Sequence, residues 1–287
     1  MELLDARLQA FLVVARTGAV HRATGQLGIS QTGITQRVKS LEQDLKVTLF
    51  SRSRTGMRLT SEGEALLQYC NGAEELEGMV LSKLHGKLTH AETHITIAGP
   101  TSAVSTRLPG ICASVMKDWP GLYVHVLTED KINRVDLVKT NAAQLAIVPP
   151  SQVPLEMDSK KLKSDQYLLI GSHKWKSRKI EDILESEKII DFYESDDTTL
   201  SYLRKFKLSG HIKRARLFVN DNATLIRLLT DGLGLGTLTA EIAEPLLASG
   251  KVIALNRGKI MEDPLALVWY PRPQMPPYFQ AIIRSLK

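Results

Sequence analysis

Apolar residues recur at helical spacing from the start of the chain. Leu8, Phe11, Leu12 and Ala15 fall at i, i+3, i+4 and i+7, which predicts a helix with one buried face, closed by Thr17-Gly18. Val20, Ala23 and Leu27 predict a second, short helix over 19–27. The tight turn Gly28-Ile29-Ser30 leads to a third helix, starting near Gln31 and burying Ile34, Val38, Leu41 and Leu45. The Ser30 hydroxyl is its natural N-cap. Two short strands follow at 49–50 and 57–59, folded about the turn Arg54-Thr55-Gly56.

Ser61 and Glu64 read as a capping box, Ser61 being the N-cap of a helix that runs to about residue 88. Within it Leu66, Cys70, Ala73, Val80 and Leu84 keep a heptad seam interrupted at Glu77. Gly72 and Gly78 each lower helix propensity by about 1 kcal/mol relative to Ala, so packing has to compensate, against the helix's own domain or a second copy. From His94 the period changes. Strands at 95–97, 122–127, 145–148, 167–170, 189–193, 215–219, 235–238, 252–255 and 266–270 alternate with helices, among them 103–117, 134–140 and 278–286. This predicts an α/β fold of open sheets. Pro149-Pro150 and Val153-Pro154 interrupt the pattern and predict a crossover between two lobes.

Length and a 43% hydrophobic content allow about two domains with buried cores, and no apolar run approaches the roughly 20 residues of a membrane helix. Residues 1–10 carry Glu2 and Asp5 and no apolar signal-peptide core, so a cytoplasmic protein is expected. Cys70 and Cys112 are too few and too distant for a disulfide framework or a metal cluster, and read as inert thiols. Charge is distributed unevenly. Residues 1–60 hold nine Lys/Arg and four Asp/Glu, whereas the other 227 hold 28 and 27. A basic module joined to a near-neutral remainder is the footprint of nucleic-acid binding, although a basic surface also serves solubility.

The third helix carries the argument further. Gln31, Thr32, Thr35, Gln36 and Lys39 face outward with Arg37 beside them, and the first acid is Glu42. Gln and Thr near a helix start reach base edges and thymine methyls in a major groove, and Arg and Lys bond guanine or phosphate. The bland alternative is a solvated polar face. The hairpin that follows places Arg52, Arg54 and Arg58 on a basic wing suited to phosphate or the minor groove.

These residues resemble the N-terminal domain of LysR-type transcriptional regulators. The matching positions are Leu8 with Phe11, 18–23, Leu27, 29–32, 34–38, Leu41-Glu42, Leu45, Leu49-Phe50, Arg52, and Leu59-Thr60 with Gly63. Lys46 departs from the family's usual glycine and Thr24 from its usual second alanine. The resemblance implies a winged helix-turn-helix over 3–60, a linker and dimerisation helix over 61–89, and an effector-binding domain over 90–287. That domain would be two-lobed and periplasmic-binding-protein-like, with lobe I about 94–150 and 266–287 and lobe II about 151–265. The DNA-contacting set would be Ser30, Gln31, Thr32, Thr35, Gln36, Arg37, Lys39, Arg52, Arg54 and Arg58. Further C-terminal matches are Asn220, Ala223, Leu228-Leu229, 232–236, Leu246-Leu247 and 250–252, while Gln144 replaces a usual acid.

Effectors in this family sit in a cleft near the turn after the first strand of the effector domain, here Gly99-Pro100-Thr101-Ser102. Hydroxyls and free amides at a helix start suit a carboxylate, and they equally make an ordinary cap. A narrower similarity, in 36–42, in Asp191-Phe192 with Asp196-Asp197, and in 267–270, points to the arginine- and lysine-responsive branch. Under that likeness Asp196, Asp197 or Glu129 pairs with a basic side chain, and Pro100, Pro149 and Asn220 complete the effector-binding set. Asp196 and Asp197 also stand near a helix start, where acids stabilise the dipole without any ligand.

The resemblance further implies inverted-repeat duplex DNA, a second copy (dimer or tetramer) and RNA polymerase as partners, with no cofactor and no membrane. The glycines of 232–236 follow a helix rather than a strand, which argues against a dinucleotide site. His21, His85, His90, His94, His125, His173 and His211 show no metal-ligand spacing, and no nucleophile elbow or Walker loop is present. An enzyme fused to a DNA-binding domain is thereby disfavoured. An architectural DNA-binder without an effector leaves the α/β portion unexplained.

Overall fold

Three short helices close around Phe11 at the N-terminal end of the chain. The computed structural model describes residues 5–53, 56–84, 93–128, 133–272 and 275–287. Helix α1 (Ala6–Thr17) starts with the Asp5 carboxylate accepting from the amide of Arg7 and ends at Gly18, whose amide donates to the Val14 carbonyl. Helix α2 (Val20–Leu27) and helix α3 (Gln31–Leu45) follow. The Ser30 hydroxyl accepts from the amide of Gly33 at 3.1 Å, so α3 begins where its cap residue dictates. Phe11, Ile34, Val38, Leu41, Leu49 and Phe50 form one core, and each such buried side chain contributes about 1.5–3 kcal/mol.

Strand β1 (Phe50–Ser53) pairs antiparallel with β2 (Gly56–Leu59), forming the expected hairpin. The hairpin is tied to the helical turn ahead of it by the amide of Met57 on the carbonyl of Gly18 at 3.0 Å. A Cβ at position 56 would stand 2.6 Å from that same carbonyl oxygen, and φ there is +126°, so only glycine fits.

Helix α4 (Ser61–Leu84) is capped differently from the expected box. Thr60, not Ser61, is the N-cap, its hydroxyl accepting from the amide of Gly63 at 3.0 Å, while the Ser61 hydroxyl turns to Glu62. Position 63 cannot carry the reciprocal Glu of a capping box, because a Cβ there would lie 2.2 Å from the Leu49 carbonyl oxygen. Two seam residues are spent locally. Cys70 is buried, and Leu66 packs, in the three-helix core, as does Leu67. Among the described residues, the large apolar side chains that α4 exposes are Tyr69 and Leu76. Val80 and the end of the seam at Leu84 carry no described side chains, and residues 85–92 lie outside the described set.

Two compact units make up the chain, Met1–Lys161 with Ala266–Lys287, and Leu162–Leu265. In the first, β3 (Thr93–Gly99), α5 (Thr101–Thr106), α6 (Leu108–Asp118), β4 (Leu122–Thr128), α7 (Arg134–Lys139) and β5 (Leu145–Val148) alternate. Strand β3 lies parallel to both β4 and β5. The chain returns as the end of β11 (Ile260–Trp269), antiparallel to β5, and finishes in α12 (Pro277–Ser285). The helix expected over 103–117 is two helices that break at Arg107, with Pro109 in the first turn of the second.

The second unit is centred on β6 (Asp158–Ser172), which pairs antiparallel with β9 (Gly236–Thr239) and β10 (Val252–Ala254). Beside them β7 (Ile189–Asp191) and β8 (Arg216–Phe218) run parallel. Helices α8 (Ile180–Ser186), α9 (Thr198–Lys205), α10 (Asn222–Asp231) and α11 (Ala240–Ala248) connect these strands. The chain passes between the units inside two strands, at Lys161–Leu162 in β6 and Leu265–Ala266 in β11. The proline pairs lie upstream of the first passage, where Pro150–Gln152 forms a single 3₁₀ turn.

Candidate nucleic-acid interface and effector site

On α3 the polar and apolar positions separate cleanly. Ile34, Val38 and Leu41 are buried, Gln31, Thr32, Gln36 and Lys39 are exposed, and Thr35 and Arg37 are half-buried at the edge. Not every polar group there is available outward. The Ser30 hydroxyl is the cap, and the Thr35 hydroxyl donates to the Gln31 carbonyl at 2.8 Å, leaving its methyl and lone pairs. Glu42 turns inward, accepting from the amide of Leu49 at 2.8 Å, and so fixes the entry into β1.

Acids near this surface are spent on other cations. Asp5 and Asp44 both bond Arg7, and Glu74 of α4 holds Arg16 of α1 at 2.5 Å. Among the described residues Arg22, Arg37, Lys39 and Arg58 take part in no ion pair. Arg58 is exposed on β2 opposite Ser51. Arg52 pairs through its backbone with Met57, and Arg54 lies outside the described residues. Lys46, in place of the usual glycine, holds the left-handed C-cap of α3 at φ 57° and ψ 34°.

In the first unit, Pro100, Thr101 and Ser102 follow the carboxyl end of β3, and Pro149 follows the carboxyl end of the neighbouring β5. All four are half-buried. Ends of parallel strands are where open α/β sheets take ligands. Gln144 binds across the start of this sheet, its Oε1 accepting from the amide of Thr96 at 2.7 Å and its Nε2 donating to Asn141. A carboxylate there would accept from Thr96 but could not donate to Asn141. Glu129 lies outside the described residues.

In the second unit, the carboxyl ends of β7 and β8 gather Asp196 and Asn220. Asn220 is exposed. Both oxygens of Asp196 are engaged by its own loop, accepting from the amides of Thr198 at 2.9 Å and Phe192 at 3.2 Å. Asp197 is exposed and bonds Arg204 and the Ser201 hydroxyl. Arg204, with Ser201, holds its carboxyl below the ordinary carboxylate range. Beneath them lies a group that sequence reading missed. Arg216 donates from Nε to the buried Asp191 at 2.7 Å and from its terminal nitrogens to the carbonyls of Glu194 and Asp196. Burial pushes the Asp191 carboxyl up, against the pull of Thr199 and Arg216. Only the parallel pairing of β7 with β8 joins residues 25 apart, so no local signal announces the pair.

Comparison with known proteins settles the family. Residues 6–64 match the model described as bacterial regulatory helix-turn-helix protein, lysR family, and residues 89–287 match the LysR substrate binding domain. The chain belongs to the LysR family. A curated relative, the HTH-type transcriptional regulator CzcR of Bacillus anthracis, is 29% identical over 259 residues, covering 88% of this chain and 85% of that protein. Two solved structures share the fold over nearly the whole length. ArgP from Mycobacterium tuberculosis gives a TM-score of 0.78 at 21% identity, covering 99% of this chain and 96% of that one. LysG from Corynebacterium glutamicum, solved with bound effector Arg, gives 0.76 at 22%, covering 98% and 95%.

This LysR-type protein is therefore a DNA-binding transcription regulator with an effector-binding domain, and its families and relatives are regulators rather than enzymes. The α/β class and the N-terminal helix-turn-helix expected from the sequence both hold. Among the described residues no helix is long and apolar enough to cross a membrane.

Proposed function

We propose that this regulator seats α3 in the major groove of an inverted-repeat operator, and that a basic amino acid, arginine or lysine, controls it. The observation that carries the DNA reading is the exposed row Gln31, Thr32, Gln36 and Lys39, free of acids before Glu42 and flanked by cations without ion pairs among the described residues. In this reading Thr35 and Arg37 edge the groove and Ser30 presents the helix start. Arg52, Arg54 and Arg58 of the wing neutralise phosphate. A dimer or tetramer supplies the second recognition helix. Tyr69, Ala73 and Leu76, at 4-3 spacing on α4, support pairing with a second copy. The regulator works in the cytoplasm, where DNA and RNA polymerase are its partners.

Support for a basic amino acid comes from the fold shared with a LysG solved with Arg bound, and from the sequence similarity at 191–197. We assign its carboxylate to Thr101 and Ser102, beside Pro100 and Pro149. Asp196, Asp197, Asn220 and Glu129 are the remaining candidates, and the first two already serve their own loop and helix. Binding of effector and of DNA are linked, so each alters the affinity for the other by the same factor.

Selection of bound duplex fragments by the purified full-length protein, with and without arginine or lysine, tests both halves. The expected yield is an inverted repeat with half-site centres about 34 Å apart, together with a thermal shift on adding the amino acid. Fragments without any shared sequence would sink the recognition helix. A thermal midpoint unmoved by either amino acid would sink the effector assignment alone.

A further inference from the structure

Parallel pairing of β3 with β4 brings together two histidines that lie 31 residues apart. His94 faces Tyr123 and Thr96 faces His125 in the register, so the two histidines sit diagonally on one face of the pleat. Strand β4 is the outermost of this sheet, and both imidazoles are exposed. Nδ1 of His94 lies 2.9 Å from Nε2 of His125. The ring centres are 5.1 Å apart and the ring planes differ by only 18°. The nitrogens are far closer than the ring centres, so they point at each other within nearly one plane. Tyr123 stacks on His94 at 5.1 Å and 17°, steadying that ring.

Two neutral imidazoles placed this way share one proton, one nitrogen donating and the other accepting. Water would satisfy both rings on an exposed surface, so the fold itself does not demand their approach. Two imidazole nitrogens on adjoining strands do, however, form a chelating unit for the ions that favour nitrogen ligands. We propose that His94 and His125 bind a divalent late-transition-metal ion, such as Zn²⁺ or Cu²⁺, through these two nitrogens, with water in the remaining positions.

Metal–nitrogen bonds of about 2.0–2.1 Å in tetrahedral arrangement set the two nitrogens about 3.4 Å apart. The nitrogens need separate by only about 0.5 Å, with each ring turning by about 35° so that both lone pairs meet at the ion. The ring that carried the shared proton moves it to its other nitrogen through solvent, so that both bind as neutral imidazoles with no net proton released. Among the described residues no set of three His, Cys, Asp or Glu side chains surrounds a common point, so this is a two-ligand, readily exchanged site. His94 also lines a cavity of about 800 Å³ with Gln68 and Glu74 of α4 and with Gln144 and Tyr270. A bound ion thus places positive charge at the rim of a cavity shared by the linker helix and the sheet. This input is independent of which organic effector the domain takes.

Titration calorimetry on tag-free, chelator-stripped full-length protein, with Zn²⁺ and Cu²⁺ against a background of Mg²⁺, tests the site. One ion per chain is expected, Cu²⁺ tighter than Zn²⁺, with no competition from Mg²⁺. His94→Asn and His125→Asn should each weaken binding at least about tenfold, as even supporting partners of metal ligands do, while His173→Asn leaves it unchanged. The wild-type Cu²⁺ complex should show electron-paramagnetic hyperfine splitting from two nitrogens, a readout that needs no variant to fold. Splitting from fewer than two nitrogens, or affinities in both variants within about twofold of wild type, would overturn the proposal.

Discussion

The three-helix head and the second compact unit differ in how deeply their ion pairs lie. In the head, acids turn inward or pair with Arg7 and Arg16, and Arg37, Lys39 and Arg58 have no ion pair among the described residues. In the second unit several carboxylates each hold a cation, Asp191 with Arg216, Asp197 with Arg204, Glu187 with Arg178 and Glu185 with Lys213, and the first of these pairs is buried. Cations without carboxylates, gathered on one ordered surface, attract an external polyanion and release counterions on binding it. Compensated charge, above all when buried, is framework. Under the proposed DNA reading, the contrast is between cations kept for a partner and ion pairs kept for folding.

The strongest way to break the comparison is at Arg216. Its side chain is 18% exposed and that of Asp191 2%, so Arg216→Met strands a buried carboxylate. A loss of about 3–5 kcal/mol is expected at neutral pH, read by urea unfolding. The loss should depend on pH. Burial raises the Asp191 carboxyl above its unfolded value, so its contribution is most favourable in acid and falls as pH rises through the raised pKa. The variant should therefore unfold most nearly like wild type in acid and diverge as pH rises. A penalty below about 1 kcal/mol at neutral pH would mean that this pair is not framework.

Removing the corresponding polar and cationic side chains in the head should leave folding alone and strike DNA. Gln36→Ala or Arg37→Ala should cost about 1–3 kcal/mol of specific binding and relax preference at one base position. Arg58→Ala should weaken all sequences alike and reduce the salt slope by about one. Unfolding midpoints should move by no more than about 0.5 kcal/mol in stability. Footprints unchanged in all three variants, with normal stability, would make α3 and its wing a solvated surface after all.

The contrast also explains what was legible in the sequence. The head is organised by short-range signals: the Ser30 cap, the apolar spacing of α1 and α3, and glycines closing α1 and α2. Each acts within a few residues, so pattern and structure agree there. The second unit is organised by pairings across the chain. β6 runs over 15 residues although only its apolar end, 167–170, reads as strand, because its first half carries Asp158, Lys160, Lys161 and Lys163. Local rules also fail where backbone approaches backbone. The N-cap falls on Thr60 rather than Ser61, and no capping box forms there because the Leu49 carbonyl leaves no room for a side chain at position 63. Of the proposed effector-binding set, the strand-end position of Pro100, Thr101 and Ser102 could be read from the sequence, and the consumption of Asp196 by its own loop could not.

A smaller effect sharpens the comparison from within the head. Lys46 sits at φ 57°, where a side chain strains the backbone, yet its amide still donates to the carbonyls of Glu42 and Gln43 to close α3. Lys46→Gly keeps that cap, relieves the strain and gives back some unfolded-state entropy, for a net gain of about 0.5–1 kcal/mol. Because the exchange also removes one cation, DNA binding reads the other half of the question. If Lys46 belongs to the surface built for phosphate, the variant gains stability and loses affinity, with a shallower salt slope. If the position is framework only, stability rises and affinity stays the same. Thermal unfolding and a salt titration of DNA binding on the same preparation decide between the two, and a variant less stable than wild type would show that the left-handed cap carries no strain to relieve.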